Sequence, residues 1–417
     1  MKEESNQYAQ IRDTINPWHM LGWLLFAQVM IAFVGRGLSP LGIFIGEDLL
    51  LTNTQIGLLP AALFFGQFLA SIPSGIMVDR LGTRPMILAL TSCLGLSFLF
   101  MSLTSSFVWM LLFIIAGGLG YGAMHPASNR GIIYWFELRN RGTAMGIKQM
   151  GVTVGSALSA FILVLLAENY GWRLVVFGAS IFLLIAGVLS YSRYRDSQQA
   201  KLEQHRVSRL KEVKQSFFEM AKNRPLLLVS SGAVGLNAAQ MSLNTYLIIY
   251  ANQMLGIHIV FAGTLLVFSE IGGSLGRLGW GAISDRIFKG NRMIVLCMIA
   301  LLSTVSAVIM GAFPSGVPFI YVALLSFVFG FCVSGFNGLW MNATTELVTL
   351  KHSGLASGFS MSIGSWGTIL GPPLFGLMTD ITGSFTAGWY GLSMILMFIT
   401  VLFFGLHYVL QENKRIT

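Results

Sequence analysis

Residues 75–85 read GIMVDRLGTRP, and the place of this stretch between two apolar runs decides the fold. The runs on either side, 56–78 and 86–101, are of membrane-spanning order, because a helix needs ~20 apolar residues to cross the hydrocarbon core. The stretch is therefore expected to be a tight polar turn at the membrane edge. Gly75 and Gly82 would permit close approach and an unusual backbone angle, while Asp79, Arg80 and Arg84 place both signs of charge there. A weaker copy, GAISDRIFKGNR, occupies 281–292 between two further apolar runs, with Asp285 and Arg286 in the matching places. Asp79 and Asp285 are 285 − 79 = 206 positions apart in a chain of 417, which points to internal duplication.

Composition agrees. Charged residues make up 10% and apolar ones 54%, against roughly a quarter charged in soluble domains. The net charge of +9 is no sign of a nucleic-acid partner. Most Lys and Arg fall in the two tails and in the loops after every second helix, which by the positive-inside rule places both termini in the cytoplasm of a multi-pass cell-membrane protein. No small-residue cleavage site precedes the first apolar run, so that helix is expected to be retained. Cys93, Cys297 and Cys332 lie in apolar runs without a CxxC, and neither a disulfide framework, a metal site nor a cofactor is expected.

Twelve runs long enough to span can be placed near 18–46, 54–78, 85–104, 107–135, 143–166, 172–191, 225–250, 259–284, 292–313, 317–345, 353–378 and 385–408. The expected layout is a cytoplasmic N-tail (1–17), a first six-helix half (18–192), a basic cytoplasmic linker (193–224), a second half (225–408) and a C-tail (409–417). The duplication extends beyond the loop: RGTAMGIKQMGVTVGSAL from Arg141 matches SGLASGFSMSIGSWGTIL from Ser353 at an offset of 212, which also carries Glu168 onto Asp380 and Gly155 onto Gly367. Both segments are glycine-rich along one face, suiting close helix packing or a hinge, and Pro372–Pro373 interrupts the second.

A charge at bilayer depth costs at least ~2.5–3.5 kcal/mol on insertion scales, so each one is a functional candidate. Arg36, Arg130 and Arg277 are the deepest cations, Lys148 lies about a turn and a half into the fifth run, and Glu270 is the one carboxylate deep in a helix. A bound anion would compensate that excess of positive charge. Glycines flank Arg36, and Arg130 stands one turn beyond Pro126; a planar guanidinium fork suits carboxylate or phosphate. Glu270 could carry a proton or form a structural salt bridge with Arg277, seven residues on and ~10.5 Å away in helical rise. His125 is either a second proton site or a satisfied polar contact. Lys148 could line the cavity or snorkel. Tyr121 and Asn342, the latter the pseudo-symmetric mate of Arg130, lie near cavity depth, as do Asn237, Gln240 and Asn244.

The pattern G-x-x-x-D-R-x-G-x-R with its echo resembles the loop motif of the major facilitator superfamily of secondary transporters. The resemblance implies an all-α polytopic fold of twelve transmembrane helices in two pseudo-symmetric halves. It also implies gating roles for Asp79, Arg80, Arg84, Asp285 and Arg286. The stretches GRGLSPL, the segment from Leu49 to Pro85, HPASNR and RGTAMG look like the anion:cation symporter branch, which takes up sugar acids and other organic anions; this implies that Arg36 and Arg130 meet a substrate carboxylate. GRLGWGAISD is similar to the eighth helix of oxalate and monocarboxylate transporters, implying the same for Arg277. The branch commonly has an acidic residue before the first-helix arginine, and here that residue is Gly35. Glu270 becomes the replacement candidate for coupling.

The expectation is a secondary transporter, working as a monomer, that takes up a small organic anion with a proton or sodium ion. The alternative is a proton-coupled exporter of drugs or metabolites. Such exporters usually carry G-x-x-x-G-P in the fifth helix, whereas Gly151 and Gly155 are followed here by Ser156. No catalytic motif such as HExxH or a P-loop is present, so an enzyme is not expected.

Overall fold

The computed structural model describes residues 16–197, 220–349 and 352–416. The tail 1–15 and most of the expected linker lie outside them. The described residues form helices joined by short turns. In chain order these are α1 (Pro17–Gly35), α2 (Leu38–Leu49), α3 (Asn53–Leu81), α4 (Thr83–Leu103), α5 (Phe107–Trp135), α6 (Leu138–Leu158), α7 (Val164–Tyr170), α8 (Trp172–Arg193), α9 (Arg224–Gln253), α10 (Ile259–Arg286), α11 (Arg292–Ala312), α12 (Phe319–Val333), α13 (Phe336–Glu346), α14 (Ser353–Thr382) and α15 (Phe385–Ile416). Three pairs are single spans with a local break: α1–α2, α6–α7 through the π-helical turn Ser159–Leu163, and α12–α13. Among the described residues eleven spans are long and apolar enough to cross a membrane, and the glycine-, serine- and proline-rich α14 makes twelve. This is an all-α polytopic membrane fold.

The breaks have local causes. Pro40 has no N–H to give the Arg36 carbonyl four residues back, and α1 ends at Gly35 with Arg36 as its cap. The stretch 75–85, expected as a turn, is mostly helix. α3 continues through Asp79 and Arg80 to Leu81, and Gly82 alone, at φ 89°, turns the chain into α4. The second copy has two more residues between Asp285 and Arg292 than the first has between Asp79 and Arg84, and Lys289 and Gly290, at φ 49° and 82°, absorb them.

Most buried apolar residues form one cluster from Met20 to Tyr194 and a second drawn mainly from Val229 to Leu406, with Met220, Leu226, Ala356 and Phe359 in a small third. The second also takes in Ile43, Ile56, Ala160 and Val164, so the halves share a core on the side away from the Gly82 turn. The repeat is visible in packing. A Cβ on Gly155 would lie 2.5 Å from the Val29 carbonyl of α1, and one on Gly367 would strike the Val234 carbonyl of α9. Both glycines thus let one helix lie against the backbone of the first helix of its own half.

Candidate functional site

The break at Arg36 places that side chain between the two halves. Its Nη1 lies 3.6 Å from Oε1 of Glu270 on α10, and its Nε donates to the Tyr121 hydroxyl of α5 at 3.4 Å. Glu270 is 2% exposed. Its Oε1 accepts from Ser156 of α6 at 2.7 Å and from Asn244 of α9 at 3.5 Å. Four helices from both halves therefore converge on one carboxylate. Gly35, Arg36, Ser39, Pro60, Phe64, Ser156, Met241, Asn244 and Leu266 line a small cavity beside it. Among the described residues, Arg36 Nη1, Glu270 Oε2 and Asn244 Oδ1 are buried with no hydrogen-bond partner. Such groups are costly to leave unmade; a ligand carrying both an acceptor and a donor would satisfy them.

Gly35 is set by this geometry. A Cβ there would lie 2.7 Å from the Tyr121 ring, the ring whose hydroxyl receives Arg36. An acidic residue before the arginine would displace that ring, and among the described residues the one carboxylate paired with Arg36 comes instead from the opposite half.

Of the two readings left open for Glu270, a salt bridge with Arg277 is not formed. The Arg277 Nε donates to the Ser334 carbonyl at 3.3 Å, at the break between α12 and α13, while its charge remains close enough to act on both Glu270 and Arg36. Lys148 is 2% exposed rather than snorkelling. Its Nζ meets Asn129 Oδ1 at 3.0 Å and His125 Nδ1 at 3.3 Å. The structure thus brings Arg36, Tyr121, Glu270, Arg277, Lys148 and His125 into one region.

Arg130 is elsewhere. It faces the C-terminal end of α3, where Nη1 donates to Asp79 at 2.7 Å and to the Val78 carbonyl at 3.0 Å, with the Tyr134 ring beneath the guanidinium at 5.3 Å. A deep cation in search of an anion, as the sequence suggested, already has its counter-ion. A helix C-terminus also favours positive charge. Asn342 is exposed near the end of α13, and its carbonyl receives the Thr345 hydroxyl.

The loop residues pair within their own halves. Asp79 holds Arg130; Arg84 donates to the Tyr191 carbonyl and lies over the Tyr191 ring. Asp285 pairs with Arg292, which also reaches Glu346 at 3.1 Å. Arg80 and Arg286 are exposed. Contacts joining the halves at the opposite end went unread in the sequence. Asp380 at the end of α14 accepts from the backbone and side chains of Asn53 and Thr54, at 2.6–2.9 Å, and so caps α3. Tyr246 reaches the carbonyls of Asn53 and Pro372. At the equivalent place Glu168, the mate of Asp380, meets His258, which precedes α10, at 3.3 Å. A capping box, Thr52–Gln55, opens α3, and nothing in the sequence named the acid that seats there.

Two six-helix halves closed over a buried, ion-paired cavity define a multi-pass membrane transporter. The chain belongs to the Major Facilitator Superfamily, whose profile matches residues 24–326. It is similar to the hexuronate transporter of Bacillus subtilis (strain 168), with 23% identity over 376 residues covering 87% of this chain and 88% of that one. A probable L-galactonate transporter of Escherichia coli (strain K12) is 27% identical over 391 residues, covering 87% and 83%. Among solved structures, a bacterial homologue of the human lysosomal transporter Spinster, inward-facing and unoccupied, superposes with a TM-score of 0.76 at 16% identity over 96% of this chain and 99% of that one. The nucleoside transporter NupG gives 0.75 at 17% over 93% and 98%. These two likenesses show the fold. The family and its fold are those of transporters, not enzymes.

Proposed function

We propose that the chain takes up a small organic anion together with a proton, by alternating access, and that Arg36 and Glu270 are the coupled pair. The supporting observation is the 3.6 Å ion pair between them across the two halves, beside a cavity with unfilled hydrogen-bonding atoms. An anion and Glu270 compete for one guanidinium. Protonation of Glu270 releases Arg36 to the anion, and loss of both ligands restores the pair, so the empty carrier can reorient with its buried charges matched. Relatives named for hexuronate and L-galactonate transport favour a hydroxylated carboxylate. The basic loops favour cytoplasmic termini in the cell membrane, and each chain carries a full pathway as a monomer. Arg277 supports the field at the site; Asp79–Arg130 and Asp285–Arg292–Glu346 brace the cytoplasmic ends of the halves, and their rearrangement accompanies gating.

The test is uptake into proteoliposomes of labelled sugar acids, monocarboxylates and dicarboxylates with and without an inward proton gradient. Gradient-driven accumulation of one acid that is lost in Arg36→Ala supports the proposal. Proton-driven movement of a cationic or neutral compound instead overturns it.

A further inference from the structure

The ammonium of Lys148 has no role in the Arg36–Glu270 pair, yet it is buried and its two contacts, Asn129 and His125, are neutral acceptors on α5. They occupy two of its three N–H bonds. No carboxylate pairs with it among the described residues. Asn129 and His125 stand four residues apart on one helix face and are half-buried. The charges of Lys148, Arg36 and Arg277 all act on His125, which puts three cations in one region. The acid paired there is Glu270. With Glu270 ionised, three positive charges face one negative, a deficit of two. Uncompensated charge taken out of water is expensive.

We propose that Lys148, His125 and Asn129 form a second anion subsite, and that the transported molecule is a dianion with a charged group at each end, one held by Arg36 and the other by Lys148. This rests on the reading of Arg36 as the first anion site. The donors are present. Lys148 keeps one N–H, and Asn129 Nδ2 is available while its Oδ1 accepts. His125 carries its proton on Nε2 in the tautomer whose Nδ1 accepts from lysine, an assignment that follows from the hydrogen bond. A planar fork at one end and a point charge at the other also fix the orientation in which the molecule binds.

The experiment is isothermal titration of the purified full-length protein with three ligands: a six-carbon polyhydroxy monocarboxylate, the matching dicarboxylate and a hexose phosphomonoester. Wild type is compared with Lys148→Met, Lys148→Gln, Lys148→Arg and Arg36→Ala, each checked for monodispersity. The dicarboxylate is expected to bind wild type at least tenfold more tightly than the monocarboxylate. That ratio should fall to about one in Lys148→Met and Lys148→Gln and return in Lys148→Arg. The same Lys148 dependence with the phosphomonoester preferred would support the subsite and assign phosphate as its group. Both carboxylates binding wild type, lost in Arg36→Ala, with a ratio untouched by either neutral substitution, overturns the second subsite alone. No binding of any of the three to wild type overturns both the subsite and the anion reading.

Discussion

Arg36 and Glu270 stand 234 positions apart in sequence (270 − 36) and meet at 3.6 Å where the two halves of the chain close on each other. Neither has a second charged residue in direct contact among the described residues. Tyr121 holds the guanidinium from the first half; Ser156 and Asn244 hold the carboxylate from both. The pair is an ion contact between the two halves.

The Tyr121 ring limits what can precede Arg36. Gly35→Ala brings a methyl group to 2.7 Å from that ring and should lower stability by ~1–3 kcal/mol, the usual cost of overpacking. Combining it with Tyr121→Ala should cost less than the sum of the two single changes, because the second makes room for the first. Thermal unfolding of the four variants in one detergent checks this. Strict additivity would mean that the ring does not set the requirement for glycine.

Arg130 and Asp79 should behave as one unit. Either alanine substitution removes the same charge-assisted hydrogen bond and should cost ~1–3 kcal/mol. The double variant should be little worse than the more damaging single one. The readout that separates a brace from a ligand contact is anion affinity: Arg130→Ala should shift the melting temperature far more than the dissociation constant of a bound acid.

Asp380 predicts a pH-dependent closure at the end away from the Gly82 turn. Partial burial raises its pKa, but four hydrogen bonds from Asn53 and Thr54 outweigh that and hold the carboxyl below its ordinary value. A depressed pKa means that the contact contributes fully above the ordinary carboxylate pKa of ~3.9 and is lost as pH falls through the lower, contact-state value. Spin labels at the exposed positions Leu50 and Ile381 should report a single short distance at pH 7 and a growing longer one below pH ~4. Asp380→Ala should show the longer distance already at pH 7, with the balance shifted by about 1 kcal/mol, as for loss of a helix cap.

The sequence made the fold legible because membrane spans, the positive-inside rule and a 206–212 residue repeat depend on composition and spacing. It was less informative about turns. The run through Asp79 and Arg80 was polar enough to pass for a loop, yet α3 carries them to its last turn and only Gly82 leaves the helix. Arg36, Glu270 and Lys148 were conspicuous because charge in a membrane is rare. How they pair was not legible, since depth along a helix says nothing about rotation around it. Arg130 and Arg277 were equally conspicuous, and each answers to a neighbour on another helix, Asp79 and the Ser334 carbonyl. Ser156 was noticed only as an absent proline; its hydroxyl on Glu270 needed the packing of α6 against α10.

The most direct test of the coupled pair is Glu270→Gln in proteoliposomes, measuring exchange of labelled for unlabelled acid beside accumulation driven by an inward proton gradient. A coupled pair predicts that exchange survives, because Arg36 is permanently free for the anion, while accumulation disappears because no proton is carried. Accumulation at the wild-type level in Glu270→Gln, with the same dependence on the gradient, would contradict it.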